Sequence, residues 1–165
     1  MIFVTVGTDL PFDRMMKIID RWVGETGRQN VFAQIGEGGW QPKHIPFVEF
    51  LEPAEFKNRF AESTLIIAHA GMGTILSALL HGKPILVMPK MARLGEHRNE
   101  HQTATAKRMM ALGNVNVAFD EAELRVKLDR VDELQGGEPI GARASGGLVD
   151  GIREFVFQGW NENRS

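Results

Sequence analysis

The segment LIIAHAGMGTILSALLHGKPILVM, residues 65–88, contains a strand, a turn, a helix and a second strand in that order. Leu65–Ala68 and Ile85–Met88 are short apolar runs, which is typical of strands buried on both faces of a parallel sheet. Between them, two glycines mark a tight turn, and Gly73 or Thr74 is predicted to cap the helix that follows. A strand–helix–strand unit predicts an α/β fold with a right-handed crossover.

The rest of the chain repeats this alternation of strands and helices. Strands are predicted at Ile2–Val6, Val31–Ile35, Phe47–Leu51 and Val115–Phe119, and helices after Pro11, from Pro53, over Arg98–Leu112 and over Glu121–Arg130. This alternation favours an α/β, Rossmann-like, doubly wound parallel sheet of about six strands. Ligands of such sheets bind at the carboxyl ends of the strands, so functional residues are expected in the loops that follow them.

The composition fits a single domain spanning residues 1–165. The chain has 165 residues, of which 43% are hydrophobic, and this is enough for one core. Its 19 basic and 21 acidic residues give a net charge of −2 without a basic stripe, which argues against a nucleic-acid partner. Cysteine is absent, as in many proteins of reducing compartments, and no apolar run approaches the roughly 20 residues that cross a membrane. Residues rich in Gly, Pro, Ala and Ser predict a flexible connector near 136–147, followed by a C-terminal helix at 148–158.

Two loops have the residues that an anionic ligand requires. In the turn at Gly71–Thr74, the glycines let the main chain approach a ligand, and the helix start presents free N–H groups to a phosphate. Such a contact contributes about 0.3–1 kcal/mol, and up to ~2 kcal/mol when it is partly buried. After the first strand, Gly7 and Thr8 offer a similar main-chain and hydroxyl surface. Taken alone, the 71–74 loop is equally consistent with a tight turn, and the 7–8 loop fits a turn and a helix cap better than a binding site; two such loops in one sheet strengthen the binding interpretation of each.

Neither loop matches the common phosphate-binding motifs. A dinucleotide fingerprint needs a third glycine where Leu76 stands. Gly82 and Lys83 are followed by Pro84, where a P-loop has Ser or Thr. The phosphate hypothesis therefore depends on the helix start itself and not on a known nucleotide motif.

A third polar segment, LGEHRNEHQ at residues 94–102, follows the strand that ends at Met88. Its His97, Glu100 and His101 match the H-x-x-E-H pattern of zinc proteases, and on a helix the two histidines would share a face. The same segment's amide and imidazole groups can instead bind the hydroxyls of a sugar, and a solvated helix start is a third interpretation. The chain has no Asp-x-Asp motif, so a departing diphosphate would have to be stabilised by loop amides and the helix start.

Four motifs occur in the order found in a known family. The segments FVTVGTDLPFDRMM, QIGEGG, HAGMGTILSALLHGKPILVMP and GEHRNEHQ resemble the carboxyl-terminal half of glycosyltransferase family 28, a GT-B family. The likeness covers roughly residues 1–119. It is greatest to the small catalytic subunits of split UDP-sugar transferases, of the bacterial exopolysaccharide type and similar to the catalytic subunit of the dolichol-pathway N-acetylglucosaminyltransferase.

The resemblance also implies which residues bind a UDP-sugar donor. They are Gly7, Thr8, Phe50, Leu51, His69, Gly71, Met72, Gly73, Thr74, Ser77, Glu100, His101 and Gln102. The loops at 7–8 and 71–74 would hold the diphosphate, residues 50–51 would lie against uracil, and residues 101–102 would contact the hexose hydroxyls. Family members commonly place a ribose-binding glutamate where Ser77 stands, so Glu100 or water would supply that contact here. The resemblance assigns no catalytic residue and no metal ligand.

A GT-B enzyme closes two such domains over its substrates, and the resemblance assigns only one of them to this chain. It therefore implies a membrane-associated partner subunit that binds a lipid-linked saccharide acceptor, and a cytoplasmic location at the inner face of the membrane through that partner. The implied reaction is an inverting, metal-independent and cofactor-free transfer of a hexose in exopolysaccharide synthesis. Two alternatives stay open: a non-catalytic regulatory module that binds a nucleotide sugar, and a zinc hydrolase built on His97, Glu100 and His101.

Overall fold

The computed structural model describes residues 1–111, 113, 115–137 and 139. The strands in these ranges are β1 (Ile2–Thr5), β2 (Val31–Gln34), β3 (Phe47–Val48), β4 (Leu65–His69), β5 (Ile85–Met88) and β6 (Asn116–Val117). The α-helices are α1 (Asp13–Thr26), α2 (Pro53–Glu62), α3 (Met72–Leu80), α4 (His101–Ala111) and α5 (Glu121–Asp129). Short 3-10 turns lie at Ala92–Leu94 and Val131–Glu133.

The strands form one parallel sheet in the order β3-β2-β1-β4-β5-β6. From β1 the chain moves outward to β3, returns to the other side of β1 at β4, and moves outward again to β6. The direction of winding therefore reverses between β1 and β4, which is the switch point where open α/β sheets bind ligands. This topology confirms the predicted α/β, Rossmann-like, doubly wound fold.

Helices cover both faces of the sheet because the strand side chains alternate between two cores. On one face, Val4 and its neighbours pack with α1 and α5, whose buried side chains include Trp22 and Leu124. On the other face, Phe3 and its neighbours pack with α2, α3 and α4, which contribute Ile75 among others. Central strands that are buried on both faces need uninterrupted apolar runs. For this reason β1, β4 and β5 could be predicted from the sequence.

The edge strands are shorter than predicted. β3 pairs in register with β2 at residues 47–48, and β6 pairs in register with β5 at residues 116–117. Each edge strand has a hydrogen-bonded neighbour on one side alone, so the flanking residues leave the ladder early. The predicted spans of 47–51 and 115–119 are therefore correct in position and wrong in length.

Helix α4 begins at His101 and not at the predicted Arg98. The Asn99 side-chain oxygen accepts a hydrogen bond from the His101 N–H at 3.1 Å, and so satisfies one of the amides that a helix start leaves free. Residues 96–100 form bends before the helix. Asn99 therefore fixes the helix start, and His97 lies outside the helix.

The last described residues pass beside the turn that follows α3. A Cβ built on Gly82 would lie 2.9 Å from the Pro139 ring, and one on Gly136 would lie 2.2 Å from the Gly82 carbonyl oxygen. The predicted connector at 136–147 lies mostly outside the described residues, and the predicted helix at 148–158 lies entirely outside them. In the part of the chain that the structure describes, no helix combines the length and the apolar character that a membrane span requires.

Candidate functional site

A cleft of about 370 Å³ opens at the carboxyl ends of β1, β2 and β4, beside the switch point. The residues that line it are Thr5, Gly7, Thr8, Gln34, Phe56, His69, Gly71, Gly73, Thr74 and Ser77. All of them except Thr5, Gln34 and Phe56 are among the residues predicted from the sequence. The sheet therefore brings the two predicted anion-binding loops, 7–8 and 71–74, into the wall of one cleft.

Helix α3 starts at the edge of this cleft. It begins at Met72, and its N-cap is Gly71 in an extended conformation with φ −84° and ψ 130°. The prediction that Gly73 or Thr74 caps the helix is therefore wrong, because the extended backbone of Gly71 lets helical geometry begin directly after it. No side-chain hydrogen bond caps this helix start among the described residues. Its first-turn amides, which have no partner inside the helix, are available to an anion.

The imidazole of His69 fills the space between the two glycine loops. A Cβ built on Gly7 would lie 2.6 Å from His69 Cε1, and one built on Gly71 would lie 2.1 Å from His69 Nε2. Gly7 also has a φ of +81°, which residues with a side chain rarely adopt. Both glycines are therefore required by the packing of His69, and this packing sets the separation of the two loops.

His69 is neutral at physiological pH. Burial, followed by the positive charge of Lys90, lowers the pKa of His69 from its ordinary 6.5 to about 4. Its Nδ1 atom is buried and makes no hydrogen bond of good geometry among the described residues, although the Thr5 backbone is close enough to oppose part of the lowering of the His69 pKa. The side chain therefore places a polar but uncharged group beside the start of α3.

Sequence reasoning missed three residues of the cleft wall: Thr5, Gln34 and Phe56. Thr5 and Gln34 are polar residues at the carboxyl ends of two buried apolar strands, and this pattern is the signal that would have identified them. Phe56 gives no such signal, since its ring packs edge-to-face on Phe3 at 5.3 Å and so belongs to the core as well as to the cleft.

An ion pair connects the loop after β5 to helix α1. Arg14 Nε lies 2.7 Å from Glu96 Oε1, and Arg14 Nη2 lies 2.8 Å from Glu96 Oε2, so the contact is bidentate. The two side chains are only 15% and 11% exposed. Glu96 also accepts a hydrogen bond from the Met91 N–H at 2.9 Å. The carboxylate of Glu96 therefore stabilises the conformation of the 91–96 loop by bonding to its main chain.

A buried lysine, Lys90, connects the same loop to the loop after β1. Lys90 is 1% exposed, and its ammonium group donates to the Leu10 carbonyl and lies 5.9 Å from the centre of the Phe12 ring. Burial lowers the pKa of Lys90 to about 8, while the carboxylates of Asp9 and Glu96 act in the opposite direction. The amine is therefore protonated at pH 7 and places a buried positive charge near the cleft.

The sequence matches the model of the glycosyltransferase family 28 C-terminal domain over residues 1–135. The chain belongs to this family. The matched range includes every residue that lines the cleft, together with the whole 90–102 segment.

Two similar proteins are UDP-N-acetylglucosamine transferase subunits named ALG13. The protein from Homo sapiens is 29% identical over 124 residues, which is 69% of this chain and 10% of the human protein. The protein from Eremothecium gossypii is 26% identical across 82% of this chain and 78% of the fungal protein. The chain thus spans a small part of the human relative and most of the fungal one.

Solved structures share the fold at low sequence identity. The NMR solution structure of ALG13 is 21% identical, with a TM-score of 0.55 over 82% of this chain and 87% of that one. Acinetobacter baumannii MurG is 19% identical, with a TM-score of 0.57 over 79% of this chain and 40% of that one. The glycotransferase of kitacinnamycin is 18% identical, with a TM-score of 0.55 over 78% of this chain and 34% of that one. These likenesses support the GT-B fold class predicted from the sequence.

Six residues that the family 28 resemblance assigns to the donor lie outside the cleft wall. They are Phe50, Leu51, Met72, Glu100, His101 and Gln102. Phe50 is 54% exposed, whereas Leu51 is 4% exposed and packs in the same core as Phe60. The Leu51 side chain is therefore a core residue, and a uracil contact at this position would have to use its main chain.

The 100–102 segment has hydrogen bonds within the protein. Gln102 is buried, and its Oε1 accepts a hydrogen bond from the Lys90 N–H at 3.0 Å. Glu100 Oε1 accepts a hydrogen bond from the Arg93 N–H at 3.2 Å. His101 is exposed at the first position of α4. Gln102 and Glu100 therefore have structural roles, and their contacts with a ligand stay predictions.

The zinc interpretation of this segment fails on geometry. It requires His97 and His101 on one helical face, but α4 begins at His101. His97 lies in the preceding bends, where its Nδ1 is 3.1 Å from the Asn99 Oδ1 atom. Among the described residues, no three His, Cys, Asp or Glu side chains gather in a way that would hold a metal ion.

A larger hollow, of about 690 Å³, lies at the opposite edge of the sheet, near the amino ends of β1 and β2. Its wall includes Arg28, Asn30 and Arg59 and none of the predicted donor-binding residues. The Arg28 guanidinium is already paired with Asp132, and that of Arg59 stacks over the Phe32 ring at 4.2 Å. We therefore place the site in the smaller cleft, which has the free helix start and the switch-point location.

Proposed function

We propose that this chain is the donor-binding, catalytic-type subunit of a two-chain UDP-sugar transferase. The observation that carries the proposal is the uncapped start of α3, which opens into a cleft beside Gly7, Gly71 and His69 in a family 28 chain. Main-chain amides and the helix dipole stabilise the negative charge of a diphosphate at such a position. The relatives named UDP-N-acetylglucosamine transferase subunits add support for a UDP-sugar as the ligand.

In this proposal the cleft binds the diphosphate, and segments outside its wall contact the other parts of the donor. The loops at Gly7–Thr8 and Gly71–Thr74 bind the diphosphate, and His69 donates or accepts a hydrogen bond there as a neutral group. Phe50 and the main chain of Leu51 contact uracil, and His101 and Gln102 contact the hydroxyls of the hexose. Met72 contributes an amide of the first helical turn.

The proposed reaction is an inverting transfer of a hexose that needs neither a metal ion nor a cofactor. As the bond between the sugar and the diphosphate breaks, negative charge grows on the leaving diphosphate. Preorganised N–H donors at the start of α3 would stabilise that charge as it develops, and this stabilisation is a large term in many enzymes. Lys90, which follows β5, adds a buried positive charge at the same carboxyl ends of the strands.

We further propose that the acceptor site belongs to a second, membrane-associated subunit. Two GT-B halves close over their substrates, and the described residues make up one such half. The acceptor is a lipid-linked saccharide in exopolysaccharide synthesis, and the chain works in the cytoplasm at the inner face of the membrane through its partner. The isolated chain therefore binds a UDP-sugar weakly and transfers nothing.

One observation favours the non-catalytic alternative, a regulatory module that senses nucleotide sugars. The Ser77 hydroxyl donates to the Gly73 carbonyl at 2.8 Å, inside its own helix, and so it is a weak partner for a ribose. Weak ribose binding would suit a module that senses abundant nucleotide sugars. Transfer in the presence of the partner subunit separates the two functions.

The first experiment is a calorimetric titration of the purified chain with UDP, UDP-glucose, UDP-galactose, UDP-glucuronate and UDP-N-acetylglucosamine. ADP serves as the control for base recognition. We expect UDP and at least one UDP-sugar to bind and ADP to bind more weakly. If millimolar UDP gives neither heat nor NMR shifts at the residues of the cleft, the proposed function is wrong.

The second experiment measures sugar transfer to membranes that contain or lack the partner subunit, with and without EDTA. Transfer is expected only when both chains are present, and it should survive the chelator. Transfer by the purified chain alone would contradict the division of labour, and loss of transfer in EDTA would contradict metal independence.

A further inference from the structure

Two buried polar side chains, Thr5 and Gln34, lie next to each other beneath the loop that follows β1. They are register partners on β1 and β2, and they are 0% and 1% exposed. The Gly7 N–H donates to Thr5 Oγ1 at 3.3 Å, and Gln34 Nε2 donates to the Gly7 carbonyl oxygen at 3.4 Å. Side chains of the sheet therefore hold both main-chain polar groups of Gly7.

The stability of the core does not account for a glutamine at position 34. Among the described residues, the Gln34 amide makes one long hydrogen bond, and its Oε1 is buried without a partner. An unpartnered buried acceptor costs free energy, which an apolar side chain of the same length would not. An apolar residue at position 34 would therefore cost the fold nothing, yet Gln34 contacts the loop that is proposed to bind the donor. This combination points to a role of Gln34 in the site.

The contact with Gly7 fixes the direction of a peptide group in the cleft wall. No peptide bond in the described chain is cis, so the Gly7 carbonyl and the Thr8 N–H point in opposite directions. Because Gln34 holds the carbonyl, it also sets where the Thr8 N–H points. Thr5 restrains the preceding peptide group in the same way, through the Gly7 N–H.

We propose that Thr5 and Gln34 are positioning residues of the donor site, which fix the orientation of the Gly7–Thr8 peptide for the diphosphate. The inference rests on the proposed function, because it assumes that this loop binds the donor. It goes further by assigning a role to two residues that act through Gly7 and need not contact the ligand.

The test compares stability with UDP affinity in variants that keep the side-chain shape. Gln34→Met removes the amide at nearly constant length, and Thr5→Val removes the hydroxyl at nearly constant volume. For Gln34→Met we expect an equal or higher urea midpoint of unfolding together with a rise in the UDP Kd of about tenfold. Thr5→Val should also weaken UDP binding, and Thr5→Ser, which keeps the hydroxyl, should restore it.

The matched control is Ser63→Ala, which removes a buried hydroxyl far from the cleft. Ser63 donates to the Phe60 carbonyl at 2.6 Å, so its loss should lower the urea midpoint and leave the UDP Kd unchanged. This variant shows that a loss of stability alone does not reduce UDP affinity.

Three outcomes would overturn the inference, and only one of them also overturns the proposed function. If the wild-type chain binds UDP and Gln34→Met binds it equally well, the positioning role is wrong and the proposed function stands. If Gln34→Met lowers the urea midpoint as much as Ser63→Ala does, Gln34 is a structural residue. If the wild-type chain does not bind UDP, the proposed function fails and the inference fails with it.

Discussion

The imidazole of His69 lies so close to Gly7 that a Cβ on this glycine would come within 2.6 Å of the His69 Cε1 atom. The same ring blocks a Cβ on Gly71, so one side chain on β4 restricts both loops of the cleft. Because the contact joins the loop after β1 to the loop after β4, the shape of the cleft depends on residues that are distant in sequence.

Gly7→Ala should destabilise the protein and abolish UDP binding. The substitution combines the cost of a positive φ, about 1–2 kcal/mol, with overpacking against His69, about 1–3 kcal/mol. Gly27→Ala is the matched control, because Gly27 has φ +65° but a Cβ added to it would meet nothing within 4 Å in the described chain. Urea unfolding should show a larger loss for Gly7→Ala than for Gly27→Ala, and equal losses would mean that His69 does not constrain the loop.

The neutral state of His69 predicts that stability falls at mildly acidic pH. Its pKa is about 4 in the folded chain and 6.5 in the unfolded chain, so the unfolded chain binds more protons between these values. The neutral His69 side chain therefore makes its full contribution to the free energy of unfolding above pH 6.5. As the pH falls toward 4, the free energy of unfolding decreases by about 3 kcal/mol in total. His69→Asn should remove this part of the pH dependence of the free energy of unfolding, whereas replacement of the exposed His101 by Asn should retain it. Parallel pH profiles for wild type and His69→Asn would contradict the prediction.

Gly73→Asp should separate stability from binding. A Cβ on Gly73 meets no atom of the described chain within 4 Å, and an aspartate in the first turn of a helix is stabilised by the dipole by about 0.3–1 kcal/mol. The same carboxylate would stand where the diphosphate is expected and would repel it. Thermal unfolding should therefore show an equal or higher Tm, while calorimetry shows loss of UDP binding. Gly73→Ala is the control for added volume without charge, and UDP affinity that is unchanged in the aspartate variant would rule out this cleft.

The ion pair between Arg14 and Glu96 should be worth more than the ion pairs on the surface. Glu96→Gln leaves a largely buried guanidinium without its charged partner and weakens the acceptor of the Met91 N–H, so we expect a loss of about 2–4 kcal/mol. Glu133→Gln, which disrupts the exposed pair with Arg130, should have no measurable effect. A double-mutant cycle with Arg14→Met measures the coupling energy, and a cycle that shows additive effects would argue against the pair.

The central strands and the glycine loops could be predicted because their signals are local. β1, β4 and β5 are buried on both faces, so their apolar runs end within one residue of the strand ends that the structure shows. Gly7 and Gly71 are recognisable because backbone freedom and a helix start are properties of a few consecutive residues. The edge strands and the start of α4 were harder to place, since they depend on one-sided pairing and on the Asn99 side chain.

The rest of the site could not be predicted because it depends on contacts across the sheet. Gln34 contacts Gly7, which is 27 residues away, and Lys90 contacts Leu10, which is 80 residues away. A polar residue at the carboxyl end of an apolar strand marks a candidate site residue, as Gln34 shows, but the sequence does not indicate which loop its side chain contacts. At Leu51 the structure adds a restriction that the resemblance did not give, because its side chain packs in the core and a ligand contact there would have to use the main chain.

The buried Lys90 has a consequence for how donor preference could change. Its main-chain N–H binds Gln102 at the start of α4, and its ammonium group binds Leu10 in the loop after β1. The segment proposed to select the sugar and the loop proposed to bind the diphosphate are therefore joined through a single residue. Substitutions confined to residues 94–102 that change the preferred hexose would therefore also weaken nucleotide binding. A change of sugar specificity would require both loops and Lys90 to be replaced together.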